Sequence, residues 1–167
     1  MKANNFMSRE DILKSIISWA ERSSNVEALI QTGSLARRDN LADDLSDLDI
    51  EIISADPDVL VNDDGWITEI GHKITVLSLE NGRDWDSRLT IYEGGTKVDF
   101  TLAGTSRVLD MVESGVLDPL YERGYFVVLD KSGVTGSLPT PSYGWCGQAF
   151  CDGPVKLPLS LPALLTA

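Results

Sequence analysis

The stretch GSLARRDNLADDLSDLDIEII, Gly33 to Ile53, places a glycine–serine pair before a dense group of carboxylates that runs into apolar residues. Crowded like charges repel one another and Asp is a poor strand former, so the arrangement needs a compensating partner. The last part of this group alternates strictly between acidic and apolar residues, which predicts a β-strand. Because successive side chains of a strand point to opposite faces, Asp47, Asp49 and Glu51 share one face of it.

The segment before this stretch predicts a helix followed by a strand. Apolar residues recur at helical spacing over residues 9–22, and Ser8 with Asp11 forms a capping arrangement at the start. A short apolar run over residues 26–32 then stops at the glycine. We expect this run to be a strand that leads directly into the glycine–serine turn.

The segments after the turn complete a mixed α/β domain. A helical turn from Ser34 towards Arg38 is followed by a polar loop. Gly94–Gly95 between two apolar segments is a signal for a two-residue hairpin, and Ser106 predicts the cap of a helix that ends at Gly115. Further strands are predicted over residues 74–79, 88–93, 98–100 and 125–129. The fold class is therefore α/β, with an antiparallel or mixed sheet of about five strands flanked by helices.

A third carboxylate comes from the hairpin. In KVDFTL, residues 97–102, Asp99 falls on the face opposite the apolar residues. If this strand neighbours the first acidic strand, Asp99 joins Asp47 and Asp49, which are themselves roughly 6.5–7 Å apart along their strand. Carboxylates at such separations can converge on a hard cation such as Mg²⁺, which takes oxygen ligands. The three acids are the predicted metal ligands and catalytic residues.

The glycine–serine pair fits the same chemistry. A glycine at a strand-to-helix turn lets the backbone approach a ligand closely, and amides at such a turn bind anions. Phosphate at Gly33 and Ser34, with Mg²⁺ on the acids, would place a nucleoside triphosphate between them. Two-metal sites of this kind stabilise the attacking and leaving oxygens of phosphoryl or nucleotidyl transfer. Each signal is weak alone, but the joint pattern is much more specific.

The composition favours a small cationic partner. The 167 residues carry 14 basic and 26 acidic side chains, a formal net charge of -12. Duplex binding depends on Lys and Arg that neutralise phosphates, so we expect no nucleic-acid partner. An acidic cleft would instead attract a cation. No apolar run is long enough to cross a bilayer and the first residues resemble no signal peptide, so we expect no membrane partner and a cytoplasmic location.

The chain changes character near residue 136. Residues 1–135 form the predicted domain, whereas residues 136–167 contain five prolines and few charges. Prolines exclude a long helix, so this segment is expected to be an extended tail. Its aromatic and leucine side chains predict either that it folds back on the domain or that two chains meet there as a homodimer.

The chain resembles the nucleotidyltransferase superfamily, and most closely the aminoglycoside 6-adenylyltransferases, also called streptomycin adenylyltransferases. The similar segments are TGSLAR (32–37), SDLDIEII (46–53), GWITEIGHKITV (65–76) and RLTIYEGGTKVDFTL (88–102). The resemblance extends over about residues 8–133 and implies a nucleotidyltransferase fold. Beyond it, the proline-rich tail stands where such enzymes continue into a helical domain, so we expect the chain to be truncated relative to them.

The resemblance also implies a reaction and roles for the site residues. Such enzymes transfer AMP from ATP to a hydroxyl of the drug with Mg²⁺ and release pyrophosphate. Gly33, Ser34 and Arg37 would contact the nucleotide, and Asp47 and Asp49 would hold metal. Asp99 would be a third metal ligand or the base for the drug hydroxyl.

Three functions remain open from the sequence. The first is an adenylyltransferase of an aminoglycoside or a similar hydroxylated cation. The second is a catalytically silent domain that binds nucleotide and self-associates, because the walls of the drug site are missing from the resemblance. The third is a minimal nucleotidyltransferase that acts on a protein partner. The intact set of three acids favours catalysis.

Overall fold

The computed structural model describes residues 7–37, 46–80 and 85–142, and these form a sheet with helices packed on both faces. The six helices of the described ranges are α1 (Arg9–Arg22), α2 (Gly33–Ala36), α3 (Pro57–Asn62), α4 (Gly65–Ile70), α5 (Ser106–Ser114) and α6 (Pro119–Glu122). The six strands are β1 (Val26–Thr32), β2 (Leu48–Ser54), β3 (Lys73–Glu80), β4 (Asp86–Tyr92), β5 (Lys97–Gly104) and β6 (Phe126–Asp130). The predicted α/β class with a mixed sheet is confirmed.

The sheet has six strands rather than about five, in the order β3-β4-β5-β2-β1-β6. Strands β2 and β5 run parallel, and the other neighbouring pairs are antiparallel. A parallel pair needs a crossover, and the segment from α3 through the β3–β4 hairpin supplies it. The two strands that carry the acids therefore lie side by side in the middle of the sheet.

Local signals predicted the first elements accurately. Helix α1 and strand β1 have the predicted bounds, and Ser8 and Asp11 form a complete capping box. Helix α5 differs at its start, because the N-cap is Thr105 and Ser106 is already the first helical residue. Its end at Gly115, which adopts a left-handed conformation with φ of 66°, is as predicted.

The glycine hairpin joins β4 to β5, but its loop has three residues instead of two. The Tyr92 amide donates to the Thr96 carbonyl at 2.9 Å, which leaves Glu93, Gly94 and Gly95 between the closing pair. Both glycines have positive φ, 98° and 88°, so the turn depends on their conformational freedom. The three short helices α3, α4 and α6 were not predicted, because runs of four to six residues show too little periodicity.

The core on one face of the sheet confirms the predicted inward residues of both acidic strands. Leu48, Ile50 and Ile52 of β2 are buried, together with Val98 and Phe100 of β5. They pack against α1 and α4, whose tryptophans stack with ring centroids 5.1 Å apart. The acids must therefore project to the other face.

The second core cluster covers one end of that other face. Helices α5 and α6 pack there through Val108, Met111 and Tyr121, over the C-terminal halves of β2 and β5. Asp49 and Asp99, in the N-terminal halves, remain partly exposed. The predicted polar loop before the acids lies outside the described residues, as does the tail after residue 142. None of the helices in the described ranges has the length and apolar character that a bilayer crossing requires.

Candidate active site

Asp49 and Asp99 are direct neighbours across the parallel pair of strands. In the register of β2 and β5, Asp49 lies opposite Asp99, between the buried pairs Leu48–Val98 and Ile50–Phe100. A slip of one residue would move these apolar side chains out of the core, so burial fixes the register and with it the acid pair. Asp47 precedes Asp49 by two residues, at the start of the same row of acids. The structure therefore brings Asp49 and Asp99 together, and Asp47 lies two residues before Asp49 on the same side of the strand.

The acids repel one another in a partly buried place. Burial, followed by the charges of Asp99 and Asp47, raises the pKa of Asp49 to about 6. Burial and the charge of Asp47 also raise the pKa of Asp99. The positive charge of Arg37 acts in the opposite direction on Asp49. Such a cluster is stabilised by a cation, which supplies the charge that the acids lack.

Gly33 lies against the carboxylate of Asp49. Its φ is 69°, and a Cβ built on it would overlap Oδ2 and Cγ of Asp49. Thr32, which precedes it, is the register partner of Asp49 between β1 and β2. We predicted that the missing side chain of Gly33 leaves room for a ligand. In the structure that space is taken by the Asp49 carboxylate, so the backbone of the turn lies directly beside the acids.

Ser34 and Arg37 belong to the short helix that follows Gly33, and the charge of Arg37 acts on Asp49. Ser34 is the second residue of α2, and Arg37 ends that helix in an extended conformation. The turn is supported from behind by Gly124, whose φ is 130° and whose added Cβ would stand 2.6 Å from the Ala36 carbonyl oxygen. Both glycines are required by close backbone approach, and together they fix α2 beside Asp49.

The donor set suits a hard divalent cation. Asp99 Oδ1 is buried and has no hydrogen-bond partner among the described residues, and carboxylate oxygens are the donors that Mg²⁺ prefers. In their present rotamers, however, the His, Cys, Asp and Glu side chains of the described residues include no group of three placed to hold a metal ion. Asp47 instead directs Oδ1 towards Lys97 Nζ, at 3.8 Å. Asp49 and Asp99 therefore form the centre of the candidate metal site, and Asp47 stands at its rim.

Glu51, the next acid of the row, has a different environment. It is 1% exposed and bound to Arg107 of α5, which also lies 3.6 Å from Asp118. The Arg107 guanidinium stacks over the Trp85 ring, 3.9 Å from its centroid. Burial raises the pKa of Glu51, and the charge of Arg107 opposes the rise. Glu51 thus anchors α5 to the sheet and is separate from the acid pair.

A cavity of about 300 Å³ lies beside this ion pair, away from the three acids. Its lining includes Trp85, Arg107, Asp110, Met111, Leu117 and Asp118. None of the three candidate site acids belongs to the lining. Asp49 and Asp99 are partly exposed on the sheet face.

Sequence reasoning assigned no role to Lys97, Gly124 or Arg107. The alternation that placed Asp99 on the acidic face also places Lys97 there, so this signal was available. Gly124 in the sequence ERGYF is indistinguishable from an ordinary turn glycine. Arg107 lies 56 residues from Glu51 along the chain, and no local pattern connects the two.

Comparisons with known proteins bear on this site. The family model described as streptomycin adenylyltransferase matches residues 6–146, which include all three acids. Among solved structures, the chain is similar to an aminoglycoside 6-adenyltransferase from Bacillus subtilis, with 18% sequence identity and a TM-score of 0.48. That match covers 62% of this chain and 37% of the other, so the chain corresponds to well under half of that protein. No curated protein matches the chain.

Proposed function

The chain belongs to the streptomycin adenylyltransferase family, and on that premise we propose that it transfers AMP from ATP to a hydroxyl group of an aminoglycoside. The observation that carries the proposal is the pairing of Asp49 with Asp99 on adjacent parallel strands, beside the Gly33 turn. The closeness of two partly buried carboxylates and a backbone turn supports a common site for metal and nucleotide. The family match spans the whole of that site.

The acids would hold Mg²⁺. Asp49 and Asp99 would contribute carboxylate oxygens, and Asp47 would be the third ligand. When bound, Mg²⁺ offsets the negative charge of the triphosphate and of the transition state. Two observations support this assignment: Asp99 Oδ1 has no hydrogen-bond partner among the described residues, and burial together with the charges of Asp99 and Asp47 raises the pKa of Asp49.

The Gly33 turn would hold the nucleotide. The Gly33 and Ser34 backbone would contact the triphosphate, and Arg37, whose charge already acts on Asp49, would neutralise phosphate oxygens. In the reaction the substrate hydroxyl oxygen forms a bond to the α-phosphorus, the bond from that phosphorus to the β-phosphate oxygen breaks, and pyrophosphate leaves. The hydroxyl proton passes to a carboxylate, for which Asp99 is the candidate if it is not fully engaged with metal.

A small cation is the substrate class that suits the site. The acids lie on a partly exposed sheet face in a chain of net charge -12, which attracts cations and disfavours nucleic acid. Aminoglycosides carry several ammonium groups and hydroxyls, so they combine the charge and the acceptor group that the reaction needs.

The decisive experiment is release of pyrophosphate from ATP across a panel of aminoglycosides. We expect turnover that requires Mg²⁺ and is lost in Asp49→Asn and Asp99→Asn, whereas Asp58→Asn, an exposed acid of α3, leaves it unchanged. Calorimetry in parallel should find ATP binding that collapses with a chelator. Equal ATP binding with and without Mg²⁺ would refute the metal assignment. Metal-dependent ATP binding without turnover on any member of the panel would make the chain a nucleotide-binding domain.

A further inference from the structure

Lys97 places a positive charge at the rim of the acid site. It lies two residues before Asp99 in β5, as Asp47 lies two residues before Asp49, and the parallel register brings the two side chains to the same row. Lys97 Nζ is 3.8 Å from Asp47 Oδ1, and the two side chains are 50% and 38% exposed. This ion pair therefore engages one of the three acids with a side chain of the neighbouring strand.

The Lys97–Asp47 ion pair is weak enough to be broken when a ligand binds. Exposed Lys–carboxylate pairs contribute only about 0–1 kcal/mol, because water screens the charges and two flexible side chains are ordered. Lys carries a compact charge on a long flexible stem, so its ammonium can move several ångströms while its backbone stays in the strand. The pair therefore orients Asp47 towards Lys97, but little free energy is lost when the two side chains separate.

We propose that Lys97 competes with the divalent cation for Asp47, and that the ammonium, once released, binds a phosphate group of the nucleotide. The inference rests on the proposed function, because it assumes the metal at Asp49 and Asp99. It accounts for the side-chain arrangement, in which Asp47 turns to Lys97 and the three acids do not converge. It also gives the site a cation of its own that moves from carboxylate to phosphate as the nucleotide enters.

Two binding measurements on the full chain test the exchange. Mn²⁺ alone, followed by its paramagnetic signal, reports the affinity of the acids for a divalent ion. Inorganic tripolyphosphate, titrated at a Mg²⁺ concentration that saturates the acids, reports the phosphate contact. In Lys97→Met we expect Mn²⁺ to bind about three- to tenfold tighter and tripolyphosphate about three- to tenfold weaker, since one charge is removed from each contact. Lys97→Arg, which keeps the charge, should restore the binding of tripolyphosphate.

The matched control is Lys14→Met, which breaks a similar exposed pair with Glu10 at 3.1 Å on α1. It should leave both affinities unchanged, and melting temperatures establish that all variants are folded. Unchanged Mn²⁺ affinity in Lys97→Met, or both affinities moving in the same direction, would overturn the exchange.

Failure of the proposed function has a different signature. If the wild-type chain binds no Mn²⁺, or if Asp49→Asn leaves Mn²⁺ binding intact, the metal assignment is wrong and the exchange is wrong with it. If the wild type binds Mn²⁺ through Asp49 and only the Lys97 variants behave like the control, the proposed function stands and the exchange alone is rejected.

Discussion

The carboxylate of Asp49 occupies the space that a side chain at Gly33 would need. A Cβ at Gly33 would overlap Oδ2 and Cγ of Asp49, and the backbone at Gly33 has a φ of 69°, which L side chains rarely adopt. The turn and the acid strand are therefore mutually dependent. The turn requires a glycine at position 33, because any side chain there would displace the Asp49 carboxylate from the site.

Gly33→Ala should destabilise the chain more than Gly115→Ala does. Gly115 has nearly the same φ, 66°, but nothing lies within 4 Å of its added Cβ. Gly115→Ala should therefore lower the free energy of unfolding only by the cost of a left-handed alanine, about 1–2 kcal/mol. Gly33→Ala should lower it further, because the new Cβ also overlaps Asp49. Urea denaturation measures both. Equal free energies of unfolding for the two variants would contradict the packing of Gly33 on Asp49, whereas Asp49→Ala should relieve part of the loss at Gly33.

Asp49→Asn should change the pH dependence of stability. The pKa of Asp49 is about 6 in the folded chain and 3.8 ordinarily, so over this interval the unfolded chain loses the proton first. The free energy of unfolding therefore falls as pH rises from about 4 to about 6, and the asparagine variant lacks this loss. The melting temperature of the variant relative to wild type should be higher at about pH 7 than at about pH 4.

Asp130→Asn provides a control of opposite sign. Burial opposes the shift, but hydrogen bonds from Thr135 and from the Gly133 amide lower the pKa of Asp130. The stability that Asp130 contributes is therefore present above its ordinary pKa of 3.8 and is lost as pH falls through the lowered value. Parallel pH profiles for the two variants would contradict the environments assigned to both carboxyls.

Breaking the Glu51–Arg107 pair should be costly, and replacing it should not. Glu51→Gln or Arg107→Met leaves a buried charge without its partner, which costs about 3–5 kcal/mol. The double variant Glu51→Leu with Arg107→Met removes both charges and should be closer to wild type than either single variant. Lys14→Ala, which breaks the exposed Glu10 pair, should cost less than about 0.5 kcal/mol. Chemical denaturation decides, and single variants as mild as Lys14→Ala would contradict the burial of the pair.

Two deletions separate the parts of the proline-rich segment. Within residues 136–142, the Tyr125 hydroxyl donates to the Pro139 carbonyl at 2.9 Å, and the Ser142 amide donates to Glu122 at 2.9 Å. Leu138 packs against the second core cluster. Deletion of 136–167 should therefore cost about 1–3 kcal/mol more than deletion of 143–167.

Solution mass tests the predicted homodimer in the same two deletion variants. If residues 143–167 join two chains, their deletion halves the mass by light scattering while the melting temperature of the domain changes little. An unchanged mass together with equal stability of both deletions would mean that neither part of the segment has a structural role.

Residue patterns alone are sufficient to predict the local elements and the faces of the strands. The capping box and periodicity of α1, the run of β1 and the alternation of β2 and β5 are encoded within a few residues, because helix and strand geometry repeat over two to four positions. This was sufficient to name Asp47, Asp49 and Asp99 and to place each on the face opposite the core. The short helices carried too little periodicity to be predicted.

Which of these groups come into contact depends on long-range packing. Asp49 lies opposite Asp99 because the buried pairs on either side of it fix a parallel register between segments fifty residues apart. Glu51 follows the same alternation as Asp49. The packing of α5 nevertheless places Arg107 beside Glu51, and the ion pair between them separates Glu51 from the acid site. The strand face of each acid can therefore be predicted from the sequence. The partner of each acid depends on long-range packing, which no local pattern of residues encodes.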